Sequence, residues 1–206
     1  MNQKIKLYSH PMSRGRIVRW MLEEIGQPYD VVMLEYGGNM KSTEHLALNP
    51  MGKVPTITHG SAVVTESAAI CAYLADAFPE AGLAPPLAQR ADYYRWMFFS
   101  HGPLEQAVIN HALGFELPPG KSGMAGYGSL KSALDAVEHA IQGKDYLVNR
   151  RFSAADVVLG SQIGFGLRFG TIEKRPEFER YWSTLAARPA HRAAEAIDNA
   201  LLPARN

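Results

Sequence analysis

Cysteine is nearly absent from this chain of 206 residues, which contains a single one, Cys71. One cysteine excludes an intramolecular disulfide, and a structural zinc site would need more thiolate ligands than the chain has. We therefore expect a reducing compartment, the cytoplasm, and no metal. Because free cysteine is commonly buried, Cys71 is interpreted as a packing residue, with a reactive thiol as the alternative.

Excess charge and long apolar runs are lacking as well. The formal net charge is +1 at pH 7, and clustered positive charge, which phosphate binding requires, is not evident, so we do not expect nucleic acid as the main partner. No stretch of about 18 apolar residues occurs, and the polar beginning of the sequence is unlike a signal peptide. We therefore expect neither a membrane partner nor secretion.

Hydrophobic periodicity indicates alternating strands and helices over the first 78 residues. The order β-α-β, loop, β-β-α predicts a thioredoxin-like domain, with a parallel right-handed first unit and an antiparallel hairpin at the edge. The predicted elements are a strand at 5–8, a helix from Ser13 to Gly26, a strand at 29–34, a helical turn at 43–48, a hairpin at 54–64 and a helix at 66–78.

Three prolines and a glycine in residues 79–86 indicate a stiff linker and a domain boundary. Beyond it the periodicity is helical throughout. The fold class is therefore α/β plus all-α, a thioredoxin-like domain at 1–78 followed by an all-helical domain at 87–206. The predicted helices of the second domain are 88–113, 129–142, 153–165, 176–187 and 190–202.

The first segment that suggests chemistry is the turn from Ser9 to Ser13, between a strand and a helix. Ser13 is placed to cap the helix or to lie in its first turn. A hydroxyl and free backbone N–H groups at the positive end of a helix stabilise an anion, including a thiolate. The alternative is that Ser13 only caps the helix.

A second segment, Val54-Pro55, places a proline at the start of a strand, where it removes a ladder donor. A cis peptide bond would explain this proline. The backbone of Val54 could then face an open cleft and pair with an extended peptide ligand, and the neighbouring Lys53 could meet a carboxylate. The alternative is an ordinary trans proline.

The third segment is Glu66-Ser67, at the entrance to a helix. Ser67 can cap the helix and, with backbone amides, hold a carboxylate, while Glu66 can hold an amine. Together they suit the amino acid end of a zwitterion. The alternative is an ordinary acidic first turn.

In this order and at these separations, the segments resemble serine-type members of the glutathione S-transferase family. The resemblance also extends to Phe152-Ser153-Ala154-Ala155-Asp156, which is similar to the helix-capping box of the family and is interpreted as structural. It covers nearly the whole chain, although the specific motifs are dense in the first half. The stretches that carry it there are 10–13, 41–42, 46–55 and 66–70.

The resemblance implies that glutathione is the co-substrate and lies across the first domain. By match, Glu66 and Ser67 hold the γ-glutamyl end, and the backbone of Val54 before Pro55 pairs with the cysteinyl unit. The glycyl carboxylate is assigned to two lysines, Lys41 and Lys53. Many relatives carry glutamine at the position of Lys53, and lysine keeps the donor and adds charge.

By the same resemblance, Ser13 is the catalytic residue, whose hydroxyl donates a hydrogen bond to the glutathione sulfur. Ser9 is a competing candidate, four residues earlier. His10 is a candidate auxiliary polar contact. Arg16 is either a second group that faces the cleft or a structural contact to the other domain.

The second domain is expected to supply an electrophile pocket, for which His101 and Asn110 are candidate residues. The resemblance implies a cytoplasmic homodimer that conjugates glutathione to small, mostly hydrophobic electrophiles in detoxification. Two alternatives remain open at this point: a glutathione-dependent disulfide reductase or peroxidase, and a non-catalytic binding protein of the same fold. A mechanism that needs a protein cysteine at the turn is excluded, because residues 9–13 contain none.

Overall fold

Four short strands form one mixed sheet in the computed structural model, which describes residues 4–202. The order in the sheet is β2-β1-β3-β4, with β1 parallel to β2 and antiparallel to β3, and with β3 and β4 forming the predicted hairpin. This arrangement confirms the thioredoxin-like prediction. The strands are β1 (Ile5–Ser9), β2 (Tyr29–Met33), β3 (Thr56–His59) and β4 (Ala62–Thr65).

Helices account for most of the remaining described residues. Each predicted helix is present, the one at 43–48 with the predicted ends and the others with shifted ends. The predicted helix at 88–113 is divided by a π-helical turn, Ser100–Leu104, which contains Pro103. The α-helices are α1 (Gly15–Ile25), α2 (Thr43–Leu48), α3 (Ser67–Ala77), α4 (Ala91–Phe99), α5 (Glu105–Ala112), α6 (Leu130–Ile141), α7 (Ala154–Phe169), α8 (Pro176–Ala186) and α9 (Pro189–Ala200).

Two compact units divide the described chain. The first unit comprises 4–83 together with 188–202, and the second, the helical unit, comprises Ala84–Ala187. This differs from the predicted ranges 1–78, 79–86 and 87–206, because α9 packs against α1 and so belongs with the first unit.

The apolar stripe of α1 explains its position. Ile17, Val18, Met21 and Leu22 are each at most 1% exposed, as their spacing of three to four residues predicts for one face of a helix. Gly26 then ends the helix with φ of 71°, a left-handed conformation that favours glycine.

Polar contacts join α1 to α9 as well. Arg19 donates to the buried Asp198 at 2.8 Å, and Arg188 makes two hydrogen bonds of 2.7 Å to the Glu24 carboxylate. These residues are separated by more than 160 positions in the sequence. The pairing of α1 with α9 therefore could not be predicted from any local pattern.

In the helical unit, Asp156 is fully buried in the first turn of α7. Its two carboxylate oxygens accept hydrogen bonds from the backbone of Leu147 and Ser153, the Ser153 hydroxyl and the Tyr181 hydroxyl, at 2.7 to 3.1 Å. Burial, opposed by these donors, raises the pKa of Asp156 to about 6. The capping box between Ser153 and Asp156 is present as predicted.

Cys71 is fully buried in α3, and burial raises the pKa of its thiol. The packing interpretation is therefore confirmed. None of the helices described between residues 4 and 202 is long and apolar enough to cross a membrane. Within the same residues, no group of three or more histidine, cysteine, aspartate or glutamate side chains is arranged to hold a metal ion.

Candidate functional site

The register of the sheet brings the three motif segments to one edge. Tyr8, near the end of β1, pairs with Thr56 at the start of β3, and Thr56 pairs with Thr65 at the end of β4. The turn after Ser9, the segment before Thr56 and the entrance to α3 after Thr65 therefore lie side by side. Segments about 60 residues apart in sequence are thus neighbours in the fold.

Ser13 lies just before α1, half-buried. Its hydroxyl donates to the His10 carbonyl at 2.6 Å and accepts from the Gly15 backbone N–H at 3.0 Å. The predicted helix start at Ser13 is wrong by two residues, because this serine closes the preceding turn and the cap position is Arg14. The hydroxyl nevertheless lies at the positive end of α1, where an anion is stabilised.

Ser9 ends β1 and is 1% exposed. Its hydroxyl has no hydrogen-bond partner in the described part of the chain. It lies beneath the start of α1, so close to Gly15 that a Cβ added there would be 1.9 Å from the Ser9 oxygen. This burial disfavours Ser9 as the group that meets a ligand directly.

His10 and Arg16, the predicted auxiliary residues, are both engaged in contacts with the protein. His10 Nδ1 accepts from the backbone N–H of Met12 at 3.1 Å, and its Nε2 lies 3.5 Å from the Glu35 carboxylate. Arg16 Nε donates to the Pro11 carbonyl at 2.5 Å, and its Nη2 donates to a residue of α9 at 2.9 Å. Both side chains therefore brace the turn that carries Ser13.

The peptide bond between Val54 and Pro55 is cis, as the sequence predicts. Asn49 holds the loop before it, since its Nδ2 donates to the Lys53 carbonyl at 2.9 Å and its Oδ1 accepts from the Met51 N–H at 3.1 Å. Pro55 is buried, Val54 is half-buried and Lys53 is exposed. Of the two residues just before Pro55, Lys53 is thus fully accessible to a ligand and Val54 partly so.

Buried polar residues behind this loop were missed by sequence reasoning. Asn49 is 4%, His45 2% and Thr56 0% exposed, and the Thr56 hydroxyl lies 3.4 Å from both His45 Nε2 and Asn49 Nδ2. His45 Nδ1 is 2.8 Å from the Met40 carbonyl. The sequence signal was a histidine and an asparagine four positions apart, on α2 and at its end, which alone does not distinguish buried from exposed polar residues.

Lys41 is exposed, and its Nζ donates to the Met51 carbonyl at 2.6 Å. Its side chain passes over Gly52, where an added Cβ would lie 2.7 Å from Lys41 Cδ. Gly52 has φ of 53°. The ammonium groups of Lys41 and Lys53 are thus presented by neighbouring loops of the first unit.

Glu66 and Ser67 stand at the start of α3. Glu66 is exposed and has φ of 68°, an unusual value for a residue with a side chain, while Ser67 is 3% exposed. The prediction that Ser67 caps the helix is wrong, because Ser67 is its first residue and Glu66 occupies the cap position. α3 therefore begins at the same edge of the sheet, where the first backbone N–H groups of a helix have no partner within the helix.

The two candidates in the helical unit have defined contacts. His101 lies in the π-helical turn, with Nε2 3.9 Å from the Glu105 carboxylate, and Gln162 donates to that same carboxylate at 3.1 Å. Asn110 donates to the Tyr127 hydroxyl at 3.1 Å. Their role in an electrophile pocket stays a prediction.

The first unit therefore defines a class of protein, a thioredoxin-like fold in which a serine-bearing helix start lies beside a cis-proline loop. Comparison with known sequences gives the family. Residues 3–76 match the N-terminal domain, and residues 123–189 the C-terminal domain, of glutathione S-transferase.

Individual relatives agree with these matches. Glutathione S-transferase 1 of Schizosaccharomyces pombe is 30% identical over 93% of this chain and 96% of its own. The glutathione transferase of Methylococcus capsulatus has a similar structure, with a TM-score of 0.78 and 29% identity over 95% of this chain and 99% of its own. The structure of a sphingomonad glutathione S-transferase in complex with glutathione has a TM-score of 0.75. It is 26% identical, and the match covers 94% of this chain and 98% of that one.

The chain belongs to the glutathione S-transferase family. Several of the matching proteins are named glutathione transferases, and the chain is an enzyme of this kind. The fold predicted from the resemblance is thus confirmed.

Proposed function

We propose that this transferase joins the thiolate of glutathione to small, mostly hydrophobic electrophiles. The observation that carries the proposal is the convergence of the Ser13 turn, the Val54–Pro55 loop and the start of α3 at one edge of the sheet. A sphingomonad relative binds glutathione, as its structure records. The segments of this edge match the parts of a tripeptide with a carboxylate at each end, an amine and a thiol.

Each part of the tripeptide is assigned to one segment. The exposed Glu66 carboxylate meets the α-amine, and the N–H groups at the start of α3 with the Ser67 hydroxyl meet the α-carboxylate. The N–H and C=O of Val54 pair with the cysteinyl backbone, as a strand pairs with a sheet edge. The ammonium groups of Lys41 and Lys53 meet the glycyl carboxylate.

Ser13 is proposed to activate the thiol. Its hydroxyl hydrogen now points to the His10 carbonyl, so it must turn toward the sulfur when glutathione binds. The cost of this rotation is small, because the His10 carbonyl keeps the backbone N–H of Ser13 as a donor at 3.1 Å. A thiol pKa lowered by about two units needs roughly 2.7 kcal/mol, and one charge-assisted hydrogen bond supplies about 1.5–3 kcal/mol.

The reaction then follows from the thiolate. The thiol proton leaves to solvent, the sulfur forms a bond to the electrophilic carbon, and the leaving group departs with its electron pair. The start of α1 and the Ser13 hydroxyl stabilise the thiolate before the attack.

Two measurements test the proposal. Calorimetry measures glutathione binding to the parent protein and to Ser13→Ala, and ultraviolet absorbance measures thiolate formation against pH in both complexes. We expect equal binding and a higher pH midpoint in Ser13→Ala. Equal midpoints would contradict the role of Ser13, and a parent that does not bind glutathione would favour a non-catalytic binding protein.

Activity with two probes separates the chemical alternatives. Chlorodinitrobenzene reports conjugation, whereas the mixed disulfide of glutathione with mercaptoethanol reports reductase activity. We expect turnover of the first and a Ser13→Ala variant slower in that assay. Turnover of the disulfide without conjugation would instead establish the reductase.

We also propose a homodimer and a role in cytoplasmic detoxification. Tyr94 and Phe98, four residues apart on α4, are 41% and 75% exposed, so they offer apolar surface that a second copy could cover. A single buried cysteine suits a reducing compartment. Light scattering tests the assembly: we expect a dimer for the parent protein and a shift to monomer in Phe98→Asp.

A further inference from the structure

Arg16 occupies a position between the Ser13 turn and the last described helix. It lies in the first turn of α1, where Nε donates to the Pro11 carbonyl at 2.5 Å. From the same guanidinium, Nη2 donates to Oδ1 of Asn199 in α9 at 2.9 Å. Because the guanidinium is planar and rigid, these two bonds fix the distance from α9 to the turn.

The other hydrogen bonds that shape the turn are local. The Ser13 N–H and hydroxyl both donate to the His10 carbonyl, and the Gly15 N–H donates to the Ser13 hydroxyl. Such bonds set the internal shape of the turn. The bond from Gly15 ties Ser13 to the first residue of α1. The side chain of Arg16 adds a link from the turn to α9, through the carbonyl of Pro11, two residues before Ser13.

We infer that Arg16 and Asn199 are positioning residues, through which α9 holds the hydroxyl of Ser13 where a glutathione thiolate needs it. The inference rests on the proposed role of Ser13. It gives α9 a part in the chemistry, although Asn199 lies 183 residues after Arg16.

The bond to Asn199 is not needed to keep α9 in place. Arg19 pairs with Asp198, and Arg188 pairs with Glu24, at 2.7 to 2.8 Å. Asp198 also lies within electrostatic range of Arg16, but its close partner is Arg19. Asn199 itself is exposed, so replacing it leaves the buried contacts between the helices intact.

Four variants and the parent protein test the inference, with the pH midpoint of thiolate formation in the glutathione complex as the readout. Arg16→Gln removes the guanidinium that joins Pro11 to Asn199. Asn199→Ala removes only the side-chain oxygen that accepts from Arg16 and leaves the charge of Arg16 in place. Asn199→Asp restores an acceptor oxygen. Arg188→Gln is the matched control, because it removes an arginine bond between the same two helices at a site away from the turn.

We expect Arg16→Gln and Asn199→Ala each to raise the midpoint by about half a unit, which is a roughly threefold loss of thiolate at a fixed pH. Asn199→Asp and Arg188→Gln should keep the midpoint of the parent protein. A merely structural role would change thermal stability in these variants and leave the midpoint unchanged.

Ser13→Ala distinguishes failure of the inference from failure of the proposed function. If Ser13→Ala raises the midpoint and Asn199→Ala does not, Arg16 and Asn199 have no positioning role while the role of Ser13 stands. An equal rise in Arg188→Gln and Asn199→Ala would also overturn the inference, since general docking of α9 would then explain the effect. A midpoint that does not move in Ser13→Ala overturns both.

Discussion

Gly15, the first residue of α1, lies against the hydroxyls of Ser9 and Ser13 and leaves no room for a side chain. Replacing it by alanine should therefore destabilise the protein. In an ordinary helix this change stabilises by about 1 kcal/mol. Here the new Cβ would lie 1.9 Å from Ser9 Oγ and 3.0 Å from both Ser9 Cβ and Ser13 Oγ. Overpacking in a filled interior costs about 1–3 kcal/mol. We expect a net loss of up to roughly 2 kcal/mol in the free energy of unfolding.

A double-mutant cycle measures this effect in urea titrations of four proteins: the parent, Gly15→Ala, Ser9→Ala and the double variant. Ser9→Ala removes a buried hydroxyl without a partner in the described residues, so alone it should be nearly neutral. In the double variant the 1.9 Å contact is gone. It should therefore be more stable, by at least about 1 kcal/mol, than the sum of the two single effects predicts. A stabilising Gly15→Ala, or a coupling near zero, would refute the reasoning.

Three further predictions concern other contacts. Asn49→Ala removes the donor to the Lys53 carbonyl, so KM for glutathione should rise about tenfold in initial-rate kinetics with little change in kcat. Arg19→Met leaves the buried Asp198 carboxylate without its cation, and urea titration should show a loss of about 3–5 kcal/mol. Burial raises the pKa of Asp156 from 3.8 to about 6, so the folded state holds a proton that the unfolded chain has lost, and stability should fall by up to about 3 kcal/mol between about pH 4 and pH 7.

Each of these predictions has its own control. Arg19→Met combined with Asp198→Leu should recover most of the lost stability, because the unpaired charge is removed; no recovery would contradict the expected role of the ion pair. The pH dependence is compared with that of Asp156→Asn, whose slope should be shallower, and equal slopes would show that other groups cause it. For Asn49→Ala, a fall in kcat at constant KM would place its effect on the chemical step instead.

The elements of the first unit could be predicted because each has a signal in its own stretch of sequence. The stripe of α1 repeats every three to four residues, Gly26 marks its end, and a proline directly after Val54 at the start of a strand indicates a cis bond. The assignment of these segments to glutathione came from the family resemblance, and the individual residue roles remain predictions.

Two errors concern where a helix starts, which local backbone geometry decides, and the third concerns a tertiary contact. Ser13 has the sequence context of a helix cap, yet its hydroxyl turns back to the His10 carbonyl and the helix begins at Gly15. Ser67 has the context of a cap as well, but the left-handed backbone of Glu66 takes that position. The docking of α9 was missed because a buried bond such as that between Arg19 and Asp198 leaves no trace in local periodicity.

The return of α9 to α1 sets an order of events during synthesis. A ribosome releases residues 4–83 long before 188–202, and domains ordinarily fold as they emerge. Until α9 is synthesised, Arg19 lacks the carboxylate of Asp198, and the surface of α1 that α9 covers stays exposed. The first unit thus reaches its final form only after residues 188–202 have been synthesised, so a nascent chain that stalls before them would expose this surface to chaperones.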